Sequence, residues 1–301
     1  MKDMNRSRSL SSSSALAGLA LLALSACGQQ SPVTVEALQM PTSATAGSFE
    51  YHASKIIGAN SLTPVRVDGS NVDAGLRQYL DAFGIVAMGN SGSCSGTHLG
   101  NGYVLTAGHC FADMGQILKN QACGTTKVYW GYRGSPATGS PKPVVTATST
   151  CTKILYAELT EARDFAIFQV SNPPKAKVGI AVEAARTAAN TKLTIFGYPQ
   201  GRPLEWSQYC ALKRNTVITY QTPSAARMAY QCDTEPGNSG SSVLAIGANG
   251  AKVVGVHDAA TPDPIQYNIG TYMFDMRQTL FKQTGVNLDQ VTGANAPSPI
   301  R

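Results

Sequence analysis

Three short segments of this 301-residue chain hold the residue types that acyl transfer needs. The first, Leu105-Thr106-Ala107-Gly108-His109-Cys110, puts an imidazole directly after a β-type run. The second, Arg163-Asp164-Phe165-Ala166-Ile167, puts an acid at the mouth of an apolar run. The third, Pro236-Gly237-Asn238-Ser239-Gly240-Ser241, presents a serine on a glycine-rich turn. A serine hydroxyl is a poor nucleophile at neutral pH, so a base must take its proton during attack and return it to the leaving group. His109 is the candidate base, and Asp164 the acid that would fix its tautomer and stabilise the imidazolium. Backbone N–H groups of Gly237 and Ser239 would face the developing oxyanion, and glycine lets so tight a turn form without a Cβ clash. Asp113 and Glu161 are alternative acids that read as exposed loop charges. His98 reads as a surface or packing residue.

The elements that must carry these segments are β-strands. From Ile56 onward, short β-type runs recur between Gly, Pro, Asn and Ser, among them residues 83–89, 102–108, 127–132, 143–150, 165–170, 192–198, 215–220, 227–232, 241–246 and 252–257. That rhythm predicts an all-β barrel or sandwich rather than alternating βαβ units. Asn101-Gly102 is a hairpin turn signal. Asn172-Pro173-Pro174 is the expected seam between two β units, since proline cannot donate to a ladder. Residues 273–282 form the best helical stretch, with Phe274, Met276, Leu280 and Phe281 as a partial apolar face. Residues 285–301 read as a loose tail. Only 14% of residues are charged and 43% are apolar, which argues against disorder or a long coiled coil. The net charge of +6 is spread out rather than blocked, so no nucleic-acid partner is expected.

The N-terminus carries Lys2, Arg6 and Arg8, then an apolar run from Ala15 to Ala26. At about 12 residues this run is too short to span a bilayer and has the layout of an export signal. Leu24-Ser25-Ala26-Cys27 resembles a bacterial lipobox, so residues 1–26 are expected to be a lipoprotein-type signal peptide and Cys27 the lipidated residue. Residues 27–55 read as a linker or pro-segment. The other six of the seven cysteines (Cys94, Cys110, Cys123, Cys151, Cys210 and Cys232) can form three disulfides outside the cytoplasm. None has zinc-site spacing.

The order His, Asp, Ser, with T-A-G-H-C and G-N-S-G, makes the chain resemble a trypsin-like serine protease of the chymotrypsin fold. The resemblance covers roughly residues 56–285. It implies two six-stranded antiparallel β-barrels, over 56–174 and 175–285, a C-terminal helix in the second, and a tail over 286–301. It also implies His109, Asp164 and Ser239 as the triad, protein or peptide substrates, and no metal or cofactor; a monomer is expected. Cys94–Cys110 matches a family disulfide. Cys123 with Cys151, and Cys210 with Cys232, are the next choices, which the sequence leaves open. Within the family, Thr234 ahead of the nucleophile and His257 in Gly255-Val256-His257 resemble the pocket of bacterial glutamyl endopeptidases, which cut after Glu and less readily Asp. Thr and His supply donors for a buried carboxylate. Tyr267-Asn268-Ile269-Gly270-Thr271 resembles that group too. Asp233 stands about where trypsin carries the aspartate that attracts basic side chains, which leaves trypsin-like specificity as the alternative. Lys55-Ile56-Ile57-Gly58 looks like an activation site. Asn238 stands where trypsin-like zymogens carry an aspartate, so an amine freed at Ile56 would serve the pocket instead. A protease fold used only for binding would have lost a triad residue, and none is lost.

Overall fold

The computed structural model of the protein describes residues 54–294, except 90–91, 136–137, 140–141, 184, 215–216, 220–221, 249 and 262–264. Cys27, the export segment and residues 295–301 lie outside the described residues. The first strand, β1 (Thr63–Pro64), and the short helix α1 (Ala74–Arg77) lead into a first barrel. Its strands are β2 (Phe83–Ala87), β3 (Ser93–Gly100), β4 (Tyr103–Thr106), β5 (Ile117–Gln121), β6 (Lys127–Trp130), β7 (Ala147–Leu159) and β8 (Asp164–Ser171). Antiparallel pairing runs β7-β6-β2-β3-β4-β8 and closes through β7–β8 into a six-stranded barrel, with β5 extending the edge that β6 begins. Closure leaves this ring without an open edge. Asn101 and Gly102 join β3 to β4 with φ of 50° and 79°, the left-handed pair that a two-residue hairpin requires.

The second barrel contains β9 (Lys192–Gly197), β10 (Glu205–Trp206), β11 (Cys210–Arg214), the small hairpin β12 (Val217–Thr219) and β13 (Thr222–Ser224), and β14 (Arg227–Tyr230). It is completed by β15 (Ser242–Gly247), β16 (Gly250–Ala260) and β17 (Asn268–Tyr272). The ring β9-β11-β14-β17-β16-β15 closes through β9–β15, while β10 and β1 extend from β9. Residues leading into the first barrel therefore lie along the second. Each barrel has its own apolar filling, Val86, Val104, Trp130 and Phe168 in one and Ile195, Met228, Val243 and Val254 in the other. Between them Phe83 stacks on Phe196 at 5.0 Å, and the Tyr198 hydroxyl donates to the Phe83 carbonyl at 2.8 Å. Burying each such aromatic contributes about 1.5–3 kcal/mol.

Two C-terminal details differ from the sequence reading. Helix α2 (Met273–Thr284) buries Met273, Met276 and Leu280, an i, i+3, i+7 stripe, while Phe281 is 57% exposed. Residues after Gly285 are not all loose. A short helix α3 (Leu288–Val291) buries Leu288, and the Asn287 side chain accepts from the backbone of Asp289 and Gln290. A single turn gives no periodicity to read.

Candidate active site

His109 stands in a 3-10 turn, Gly108–Cys110, directly after β4. Gly108 lies so close to β7 that a Cβ there would come 1.9 Å from the Glu158 carbonyl oxygen. Cys110 is bonded to Cys94 on β3, which ties the turn from its other side. The remaining disulfides are Cys123–Cys151 and Cys210–Cys232. Asp164, the first residue of β8, is fully buried. Its Oδ2 accepts from His109 Nδ1 at 2.7 Å, and its Oδ1 accepts from the His109 backbone N–H at 2.9 Å. The proton on Nδ1 makes Nε2 the basic nitrogen of the neutral ring. Burial pulls the His109 pKa down, but the charge and hydrogen bond of Asp164, with Asp258 behind it, hold it above the ordinary value.

Ser239 sits in the turn leading to β15 and is half-buried. Gly237 has φ of 96°, and a Cβ there would meet Gln200 N and the Tyr198 carbonyl oxygen, both at 2.7 Å. The turn spans the two barrels. The Ser239 carbonyl accepts from Ser95 N–H at 2.8 Å, the Ser95 hydroxyl donates to the Gly237 carbonyl at 2.9 Å, and Gly240 N–H donates to the His257 carbonyl at 2.8 Å.

Thr234 and His257 are both fully buried beside this turn. Thr234 Oγ1 has no hydrogen-bond partner among the described residues. His257 is the middle of a chain of contacts. The Tyr230 hydroxyl donates to the Ile269 carbonyl at 2.9 Å and lies 2.6 Å from His257 Nδ1. Its only proton is thereby used, so His257 Nδ1–H donates to Tyr230, and Nε2 accepts the Ser54 hydroxyl at 2.8 Å. Burial, and then the nearby His109, lower the His257 pKa to about 3, so the ring is neutral at ordinary pH.

Asp233 is buried, but its carboxylate is engaged by the N-terminal segment. Oδ1 accepts from Ile57 N–H at 2.6 Å, and Oδ2 accepts from the backbone and hydroxyl of Ser61, each at 2.7 Å. Lys55 is strapped alongside. Its N–H donates to Asn268 Oδ1 at 2.8 Å, and its carbonyl accepts from Asn268 Nδ2 at 2.7 Å and Thr234 N–H at 3.1 Å. Asp113 and Glu161 are exposed. His98 is a packing residue: Nδ1–H donates to the Ala176 carbonyl at 2.7 Å, and Nε2 accepts from Gly102 N–H at 3.1 Å. Sequence reasoning had not assigned Ser54, Tyr230 or Arg227. Their only signal is proximity after folding.

A family model described as a trypsin-like peptidase domain matches residues 94–256, more than half of the chain. Among solved structures, one described as Glu endopeptidase in complex with MPD aligns at TM-score 0.53 and 22% identity, covering 75% of this chain and 97% of its own. Rv3671c from M. tuberculosis H37Rv, in an inactive form, aligns at TM-score 0.50 and 18% identity, covering 78% of this chain and 97% of its own. The active form of Rv3671c aligns at TM-score 0.50 and 16% identity, covering 76% and 92%. No curated protein matches the sequence. These likenesses share the two-barrel frame, and with the match over residues 94–256 the chain belongs to the family of trypsin-like peptidases.

Proposed function

We propose that this trypsin-like serine protease is an exported endopeptidase with Ser239 as nucleophile, His109 as general base and acid, and Asp164 as the residue that orients His109. The observation that carries the reading is the 2.7 Å contact of His109 Nδ1 with a fully buried Asp164. It fixes the tautomer whose Nε2 can take the serine proton. Ser239 Oγ attacks the scissile carbonyl, its proton passes to His109, and the oxyanion is met by the N–H groups of Gly237 and Ser239. His109 then gives the proton to the leaving amine, and water resolves the acyl-enzyme by the same route. Labelling by a serine-directed fluorophosphonate tests this. The processed wild-type chain should label and Ser239→Ala should not; no labelling of the first, or equal labelling of both, would overturn it.

The preferred residue before the cut is Glu, with Asp second. A fully buried Thr234 hydroxyl without a partner among the described residues supports this, because such a group gains a hydrogen bond when a carboxylate enters. His257 can serve beside it once its proton shifts to Nε2, with the Tyr230 hydroxyl turning to donate to Nδ1. The engagement of Asp233 by Ile57 and Ser61 counts against a basic preference. Digestion of a defined peptide library decides: cuts after Glu support the reading, and cuts after Arg or Lys transfer the pocket to Asp233.

Processing at Lys55–Ile56 completes the proposal, lifting Ser54 from His257 and freeing an amine beside the pocket. A native enzyme fully active with residues 28–55 attached would sink that step. The three disulfides fit an oxidising compartment. Lipidation at Cys27 would hold the precursor at the membrane, and the mass of the precursor's N-terminal peptide tests it.

A further inference from the structure

Arg227 on β14 and Asp258 on β16 form an ion pair with side chains only 1% and 0% exposed. A buried ion pair is a poor source of net stability compared with apolar residues of the same volume, so its position calls for another reason. Asp258 lies at a β-bulge, where the pairing of β16 with β17 shifts register between His257 and Ala259. Bulges re-aim side chains next to functional sites. The Asp258 carboxylate accepts from the Thr271 hydroxyl at 3.1 Å, and Thr271 Oγ1 in turn accepts from the Asp164 backbone N–H at 3.0 Å. Arg227 reaches the turn that leads into the same end of β8. Its Nη2 donates to the Thr160 carbonyl at 3.2 Å and its Nε to the Glu161 carbonyl at 3.4 Å, in the turn that delivers Asp164. Arg227 and Thr271 of the second barrel thus grip the start of β8 and the turn before it, and Asp258 joins the two.

Resting on the triad reading above, we propose that Asp258 is a positioning residue for catalysis. With Arg227 and Thr271 it clamps the start of β8 across the barrel interface and sets negative charge behind the His109–Asp164 pair. The groups that face His109 are Asp164 from β8, Asp258 and His257 from β16, and Arg227 from β14; Tyr230 faces Asp258. Among these, Asp258 raises the His109 pKa and Arg227 lowers it by less. Burial and Asp164 push the Asp258 carboxyl upward, while its ion-pair partner Arg227 and His109 hold it down.

The test is the rate of fluorophosphonate inactivation as a function of pH, which reports the Ser239–His109 pair independently of substrate preference. Asp258→Asn should move the acid limb to lower pH by roughly half a unit or more, because the charge that favours imidazolium is gone. The paired variant Arg227→Met/Asp258→Leu removes the clamp without leaving a buried charge, and keeps the test open where Asp258→Asn fails to fold. It should unfold at the wild-type denaturant midpoint yet be inactivated about tenfold more slowly, as expected when a catalytic group loses its alignment. A wild-type rate and acid limb in the paired variant would overturn the proposal. Absence of labelling in the processed wild-type chain would instead overturn the triad reading beneath it.

Discussion

The Ser54 hydroxyl lies 2.8 Å from His257 Nε2, so the residue just before Lys55 occupies the nitrogen that an incoming side chain would address. Lys55 is held through both of its backbone groups, and Ile57 through its N–H, so the segment is fastened on either side of the Lys55–Ile56 bond. On the pocket proposed above, the uncut chain carries its own occupant at one wall.

Ser54→Ala in the uncut chain removes that competitor. The kcat/KM on a Glu-containing peptide should rise about fivefold, the worth of one neutral hydrogen bond of about 1 kcal/mol. A fall would mean that Ser54 assists binding.

Thr234→Val keeps the shape and deletes a hydroxyl that has no partner among the described residues. Stability by urea unfolding should be unchanged or slightly higher, since the buried polar atom is gone. The preference for Glu over Gln, read as a ratio of kcat/KM, should drop roughly tenfold.

His257 makes stability depend on acid. Its folded pKa is lowered from 6.5 to about 3, so the unfolded chain takes up a proton that the folded chain refuses. The resulting stability is complete above the unfolded value and is lost as pH falls from 6.5 towards 3. The full loss is on the order of 5 kcal/mol for a fully buried ring. Urea unfolding at pH 7 and pH 4.5, in wild type and in His257→Asn, should show the smaller decline in the variant.

Gly237→Ala should damage turnover more than binding. The φ of 96° is one that alanine resists, and the added Cβ would press on Gln200 N and the Tyr198 carbonyl. Turning one oxyanion donor away should lower kcat by about 100-fold. KM on the same substrate should change little if the donor acts mainly in the transition state.

Local chemistry made much of this protein legible from its sequence. The β-type runs, the Asn101-Gly102 turn and the segments around His109, Asp164 and Ser239 depend on neighbours a few residues away, and that information is written in order along the chain. The two-barrel frame followed from the same segments through their resemblance to a family. What depended on residues far apart was decided by folding. Tyr230 fixes the proton of His257 from another strand, Asp233 is engaged by Ile57 and Ser61 some 170 residues upstream, and Ser54 lands on His257. The ion pair of Arg227 with Asp258 is held behind Asp164 by a bulge that no local pattern announces. The sequence by itself determined which side chains could do the chemistry. Only the tertiary structure decided their charge, tautomer and partners, because burial and distance set these and both arise only when the strands close into barrels.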